Sequence, residues 1–287
     1  MPYVTTLIAP QQAPFFDDAP LRAMAKAGFR TETRAGIAPQ RAVDVLSGSP
    51  APKDLMDDIR ATYKIDIVTQ KAATRKKRLF MADMDATMVT EETLDELAAH
   101  AGLKDKIAAI TTRAMNGELD FKEAVRERVG LLRGLPVTAL ADTAARMTFT
   151  KGGAQLLKTL KANGVHCVLV SGGFQFFTNH VAAALGFHEN HGNVLQIDGG
   201  VLAGTVGEPI LDKNFKKKCL EDTAARMGTT LAEAVAIGDG ANDLPMLETA
   251  ALGVGFQSKQ LLRDALPNHI LFGGLDTLIY ALGLEPA

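Results

Sequence analysis

Two cysteines among 287 residues, Cys167 and Cys219, are too few for a disulfide framework or a cysteine zinc site. A reducing cytoplasm is the expected compartment. No apolar run approaches the ~18 residues of a membrane-spanning helix, and the N-terminus carries neither a basic segment nor a sustained apolar stretch. A soluble protein is therefore expected. Charge of one sign is lacking too: 31 Lys and Arg face 33 Asp and Glu, a net charge of −2, which gives no general attraction to nucleic acid or an anionic membrane. Neither internal repeats nor low-complexity segments occur. What is present, 47% hydrophobic residues in a chain long enough for one large domain and a small one, is ordinary for a globular core.

The first chemical signal is Asp83-Met84-Asp85-Ala86-Thr87, directly after the apolar run Leu79-Phe80-Met81-Ala82. Residues two apart on an extended chain face the same way. Two carboxylates then leave a buried strand together, which is costly unless a cation neutralises them or one holds a proton. A second strand, Ala234-Val235-Ala236-Ile237, runs into Gly238-Asp239-Gly240-Ala241-Asn242-Asp243, whose glycines let the backbone turn sharply and approach a ligand. Oxygen ligands from two strand ends commonly hold Mg²⁺ beside a phosphate. Between these segments Cys167-Val168-Leu169-Val170 leads into Ser171-Gly172-Gly173, and Lys213, Lys216, Lys217 and Lys218 crowd one stretch. A hydroxyl, exposed N–H groups and a lysine are all phosphate ligands.

In this order the four segments resemble the motifs of the haloacid-dehalogenase-like (HAD) hydrolases. Within that superfamily the chain is similar to the phosphoserine phosphatases, on Glu92 in Val89-Thr90-Glu91-Glu92-Thr93-Leu94-Asp95-Glu96, on residues 112–121, and on Arg126-Glu127-Arg128-Val129. The similarity covers roughly residues 78 to 275. It implies an α/β fold, a HAD-like Rossmannoid parallel sheet in a domain spanning 76–287, with a helical cap inserted at about 92–150. Before it, residues 1–75 resemble a small α+β regulatory-type (ACT-like) domain. The implied activity is Mg²⁺-dependent hydrolysis of O-phosphoserine, the last step of serine biosynthesis, through an aspartyl-phosphate.

The resemblance also implies roles. Asp83 is the nucleophile and Asp85 the general acid and base. Mg²⁺ is held by Asp83, Asp239 and the backbone carbonyl of Asp85, with Asp243 orienting a ligand or a metal-bound water. Ser171, the Gly172 N–H and Lys216 bind the phosphoryl group, Lys216 being chosen among the four lysines by the pattern of Pro209 to Lys216. Asn242 orients that lysine or contacts phosphate, or else caps the following helix. Glu92 and Arg128 match the ammonium and carboxylate of the substrate, and Met115 and Phe121 close over its carbon stem. Each of these four has an ordinary structural reading as a helix-terminal charge, a solvated face or helix core. Ala86 departs from the pattern, standing where those phosphatases usually carry Ser. The competing readings are a phosphatase or phosphotransferase acting on another small phosphate ester, and a non-catalytic amino-acid sensor. A small-molecule partner is expected, with no nucleic acid or membrane, and a homodimer is left open.

Periodicity predicts strands over 3–8 and 65–69, helices over 20–27 and 52–63, and extended chain near 29–35. Residues 71–78, which end in four consecutive cations, read as a solvated linker. Four short helices between 94 and 145 form the cap, after which strand and helix alternate at 152–162, 165–170, 176–185, 215–227 and 234–237, as in a parallel sheet wrapped by helices. Alternation around Asp198-Gly199-Gly200 signals a β-hairpin. His188 and His191 fall in a Gly/Asn-rich stretch read as a turn, without further ligands for a metal.

Overall fold

A computed structural model describes residues 2–10, 18–29, 32–34, 41–115 and 118–287. Its strands are β1 (Tyr3–Ile8), β2 (Glu32–Arg34), β3 (Ala42–Ser47), β4 (Asp66–Lys71), β5 (Leu79–Ala82), β6 (His166–Phe174), β7 (Glu189–Asn193), β8 (Leu195–Asp198), β9 (Val201–Val206), β10 (Ala234–Gly238), β11 (Leu252–Phe256) and β12 (His269–Ile270). All but β8 and β9 form one ten-stranded sheet in the order β2-β3-β1-β4-β12-β11-β10-β5-β6-β7. The stretch from β12 to β7 is parallel throughout.

β5 sits inside the parallel part because every one of its side chains is apolar and can be covered on both faces. Phe80 and Ala82 point into a core shared with Leu156, Leu160 and Phe177. Leu79 and Met81 point into a second core with Leu220, Met246 and Leu247. Truncating Phe80, fully buried, to Ala would cost about 3–5 kcal/mol. The central strand is thereby fixed in register between β10 and β6, and so is whatever leaves its end.

Before β5 the chain runs strand, helix, strand, strand, helix, strand, with helices at Ala19–Lys26 and Lys53–Tyr63 packed through Met24, Met56 and Ile59 onto Leu7, Val45 and Ile67. These strands pair antiparallel and join the parallel part where Ile67 of β4 meets His269 of β12. Asp66, fully buried, secures the junction by accepting N–H bonds from Leu271, Phe272 and Gly273 at 2.7, 3.1 and 2.7 Å.

The expectation of a solvated linker over 71–78 is corrected for two of its cations. Arg75 forks onto Asp44 at 2.5 and 2.9 Å and also donates to the Tyr280 and Ala281 carbonyls. Lys77 is buried, with Nζ donating to the Thr74 carbonyl at 2.6 Å. Lys77 also reaches the Ala232 carbonyl at 3.4 Å, so both find acceptors in distant segments, which a local charge run does not reveal. Strands β3 and β7 are likewise unannounced. β3 carries the buried Asp44, a partner of Arg75, at its centre. β7 reads Glu-Asn-His-Gly-Asn and is a strand because β6 supplies its ladder, so His191 lies on an edge strand and not in a turn.

Helices Thr93–His100, Lys104–Met115, Phe121–Leu131 and Thr138–Ala144 occupy the predicted cap between β5 and the helix Gly153–Ala162. The Phe121 helix begins with a capping box in which Asp120 and Glu123 satisfy each other's N–H groups. β8 and β9 form a separate hairpin across Gly199-Gly200, whose φ angles of 56° and 82° are both positive, as a tight hairpin turn requires and glycine readily adopts. Backbone bonds from Gly134, Val137 and Leu202 dock it beside the cap. Asn116, Gly117 and the Met115 side chain lie outside the described residues.

Candidate active site

The ladder pairs Ala82 of β5 with Ile237 of β10 on one side and Leu169 of β6 on the other. Adjacent strand ends therefore deliver Asp83, Asp239 and Ser171 to one place, the carboxyl edge of a parallel sheet, where such folds bind ligands. The Asp83 N–H continues the ladder by donating to the Ile237 carbonyl at 3.0 Å. Its carboxylate is buried, with Oδ1 accepting from the Met84 N–H at 2.8 Å and lying 2.7 Å from Lys216 Nζ.

After Asp83 the chain turns sharply. Ala86 adopts φ 50°, left-handed backbone that costs an alanine roughly 1–2 kcal/mol. Bonds from the Ala86 N–H to the Glu91 carbonyl and from the Val89 N–H to the Met84 carbonyl, both 3.1 Å, hold it there. The turn presents Asp85 to different partners from those of Asp83. Its Oδ1 accepts from the Thr93 N–H at 2.8 Å, and its Oδ2 accepts from Ser171 Oγ at 3.2 Å. Ser171 in turn accepts from the Gly173 N–H at 2.8 Å. A Cβ on Gly173 would stand 2.9 Å from Asp85 Oδ2 and 3.0 Å from Ser171 Oγ, so a side chain here would push those two groups out of place.

Lys216 is placed by the helix Lys213–Arg226, whose first turn is capped by Asp212. It is 2% exposed, and its Nζ lies 2.7 Å from both Asp83 Oδ1 and Asp243 Oδ1. Lys217 and Lys218 instead pair with Glu221 and Asp222 on the helix surface, and Lys213 is exposed. Asp243 does more than orient a ligand: its Oδ2 accepts the N–H groups of Asp239 and Gly240, both at 3.1 Å, and shapes the loop that carries Asp239. Asn242 lines the cleft, and the N-cap position of the helix Leu244–Thr249 is Asp243 and not Asn242.

Burial, and after it the charge of Asp243, pushes the Asp83 carboxyl well above the ordinary carboxylate range against the pull of Lys216. Burial opposes the Lys216 charge, but the Asp243 and Asp83 carboxylates outweigh it and raise that group. Burial also raises Asp85, opposed by its bonds to Thr93 and Ser171. Glu92 is raised by burial and then by the neighbouring Asp85 charge.

These groups surround a cleft of about 150 Å³, well below the roughly 300–1,000 Å³ that accommodate drug-sized ligands. Asp83, Asp85, Ser171, Gly172, Asp239 and Asn242 form its floor, and Glu92, Leu94, Phe121, Val125 and Arg128 reach in from the cap. Lys216 lies beneath the floor. Arg128 bonds only its own helix, Nε donating to the Ala124 carbonyl at 3.1 Å, and it has no ion pair among the described residues. The neighbouring Arg126 is spent on Glu208.

Asp83, Asp239 and Asp243 each offer a carboxylate oxygen within 4.8 Å of the others, all buried. This is a hard-oxygen donor set of the kind divalent cations take. The side chain of Asp85 does not belong to it. Three participants escaped the sequence reading: Asp243 as a loop anchor, Asn193, and Lys259. Buried Asn193 donates to the Gly172 carbonyl at 2.7 Å and accepts from the Leu211 N–H at 2.8 Å. Lys259 lies 3.0 Å from Asp239 Oδ2. Asn193 and Lys259 fall outside the motif segments, and only the tertiary contact reveals them.

The sequence model of the haloacid dehalogenase-like hydrolases matches residues 80–248. A phosphoserine phosphatase of Archaeoglobus fulgidus is 43% identical over 208 residues, 72% of this chain and 60% of that protein. The chain thus spans less than two thirds of that relative's length. A probable phosphoserine phosphatase of Schizosaccharomyces pombe is 38% identical over 81% of this chain and 80% of its own. Among solved structures, a HAD family hydrolase from Salmonella enterica serovar Typhi superposes with a TM-score of 0.87 at 28% identity, covering 98% of both chains.

Proposed function

Because this chain belongs to the haloacid dehalogenase-like hydrolases, we propose that it hydrolyses O-phosphoserine to serine and phosphate, with Mg²⁺ as the metal and Asp83 as the nucleophile. The observation that carries the reading is the opposition, across one small cleft, of the Asp83 and Asp85 floor, with Lys216 beneath it, and the Glu92 and Arg128 side chains of the cap.

Oδ1 of Asp83 is held by Lys216 and the Met84 N–H, which leaves Oδ2 for the substrate. Oδ2 attacks phosphorus in line, an O–P bond forms, and the ester P–O bond breaks. Asp85, held by Thr93 and Ser171, gives its proton to the departing serine alkoxide. Water then attacks the phosphorus of the aspartyl-phosphate while Asp85 takes a proton from it, returning Asp83 and releasing phosphate. Ser171, the Gly172 N–H and Lys216 stabilise the charge on the transferred group, with Asn242 beside them. Phosphatases of this family generally use a divalent metal. Asp83, Asp239 and the Asp85 carbonyl would hold Mg²⁺, which supplies positive charge to the phosphoryl oxygens during anionic attack. Arg128 offers a carboxylate its planar, unpaired guanidinium, and Glu92 offers the ammonium an anion. Phe121, 42% exposed, lines the same cleft.

Residues 1–75 are proposed as a regulatory-type domain preceding a phosphatase domain of 76–287, and the free, buried Cys167 and Cys219 suit a cytoplasmic location. A phosphate-release panel with Mg²⁺ over phosphoserine, phosphothreonine, histidinol phosphate and p-nitrophenyl phosphate tests the reading. A kcat/KM for phosphoserine no higher than for p-nitrophenyl phosphate would contradict it.

A further inference from the structure

The cleft contains one cation that the proposed chemistry leaves unused. Lys259 follows β11 and the left-handed Gln257, and its backbone is pinned by an N–H bond to the Asp239 carbonyl at 3.0 Å. Its side chain is exposed, and Nζ lies 3.0 Å from Asp239 Oδ2 and 3.6 Å from Glu92 Oε1. One ammonium thus bridges a carboxylate of the metal-binding set and the carboxylate read as the ammonium partner of the substrate. Both anions are ones that the reaction assigns to incoming cations.

We propose that Lys259 is a built-in counter-cation of Asp239 and Glu92, which a divalent metal ion displaces from Asp239. The inference rests on the metal-site reading given above. Two features suit Lys259 to that part and not Lys216. The Lys259 ammonium is exposed, so water screens its pull on the buried Asp239 and it is easily exchanged, whereas Lys216 is buried between two carboxylates. A second cavity of about 460 Å³, lined by Asp239, Lys259, Lys151, Gln257 and Phe272, adjoins the cleft and gives the displaced side chain somewhere to go. With the backbone pinned, only the side chain has to move. Charge balance explains what the arrangement gains. Asp83, Asp85, Glu92, Asp239 and Asp243 face Lys216, Arg128 and Lys259, and without Lys259 the acidic excess at Asp239 and Glu92 would be unrelieved until metal arrives.

The test is calorimetric titration of Mg²⁺ into the metal-free full-length protein, without substrate, for wild type, Lys259→Gln and Lys259→Arg, with thermal melts to verify folding. The glutamine variant is expected to bind Mg²⁺ about threefold or more tightly than wild type. The arginine variant, which keeps the charge, is expected to stay near wild type, and the gap between wild type and glutamine should narrow at high salt. Unchanged or weaker binding by a folded glutamine variant overturns the inference. A wild type that binds no divalent ion overturns instead the metal-site reading on which it rests.

Discussion

Replacing Lys216 with methionine keeps the length and apolar stem of the side chain and removes its charge. Asp83 and Asp243, each 2.7 Å from Nζ, would then face one another without a cation. Removing one partner of a buried ion pair costs about 3–5 kcal/mol. At roughly 2–4 °C per kcal/mol for a chain approaching this size, Lys216→Met should melt about 6–20 °C below wild type in EDTA at pH 8. The pH dependence has a definite sign. Burial and the Asp243 charge already raise the Asp83 carboxyl in the folded state, and without the lysine nothing opposes them, so the loss is largest at high pH and shrinks as Asp83 takes up a proton on acidification. Added Mg²⁺ should restore part of the loss by supplying a cation at Asp83. Differential scanning fluorimetry at pH 8 and pH 5, with EDTA or Mg²⁺, reads all three effects, with phosphate release measured alongside and expected to vanish. A Tm within about 2 °C of wild type in EDTA at pH 8 would refute the assignment of Lys216 as the neutralising charge.

Three further outcomes are expected. Arg128→Ala should lower kcat/KM for phosphoserine by the equivalent of about 2–5 kcal/mol while scarcely changing that for p-nitrophenyl phosphate; equal losses on both would mean that Arg128 supports the cap and not the substrate. Asp85→Asn should slow phosphoserine turnover by about 10²–10⁴-fold, with a smaller loss for an ester whose leaving group needs no proton, and steady-state rates on the two esters would expose a uniform loss. His269 is buried between Ser258 Oγ and the Leu266 carbonyl, and burial pushes it down from 6.5 to about 4. The folded state therefore binds fewer protons than the unfolded one between those pH values, and stability should fall by roughly 3 kcal/mol as pH drops across them. Denaturant melts of wild type and His269→Gln check this, since the slope should flatten in the variant.

The carboxyl edge of the sheet was legible in the sequence because residues 79–82, 167–170 and 234–237 are continuous apolar runs that lead, at once or after one glycine, into Asp83, Ser171 and Asp239, so period and chemistry agree. Lys216 was singled out from its neighbours by the family pattern, and of the four lysines it alone is buried, while Lys213, Lys217 and Lys218 face solvent. Asn193 and Lys259 were not legible: each acts through a partner tens of residues away, and neither sits in a motif. Arg75 and Lys77 misled for the same reason, as a run of cations looks solvated until Asp44 and the backbone carbonyls that receive them are brought near by folding. β7 lacks β-branched residues and owes its extended form to β6, so no local propensity announced it.

The central claim is that Asp83 takes the phosphoryl group. Rapid acid quench of the enzyme turning over ³²P-labelled phosphoserine with Mg²⁺, followed by proteolysis and peptide mass spectrometry, tests it directly. The account predicts label on the peptide that carries Asp83, and none in Asp83→Asn, which should remain folded. Label on any other residue, or normal phosphate release by the asparagine variant, would contradict it.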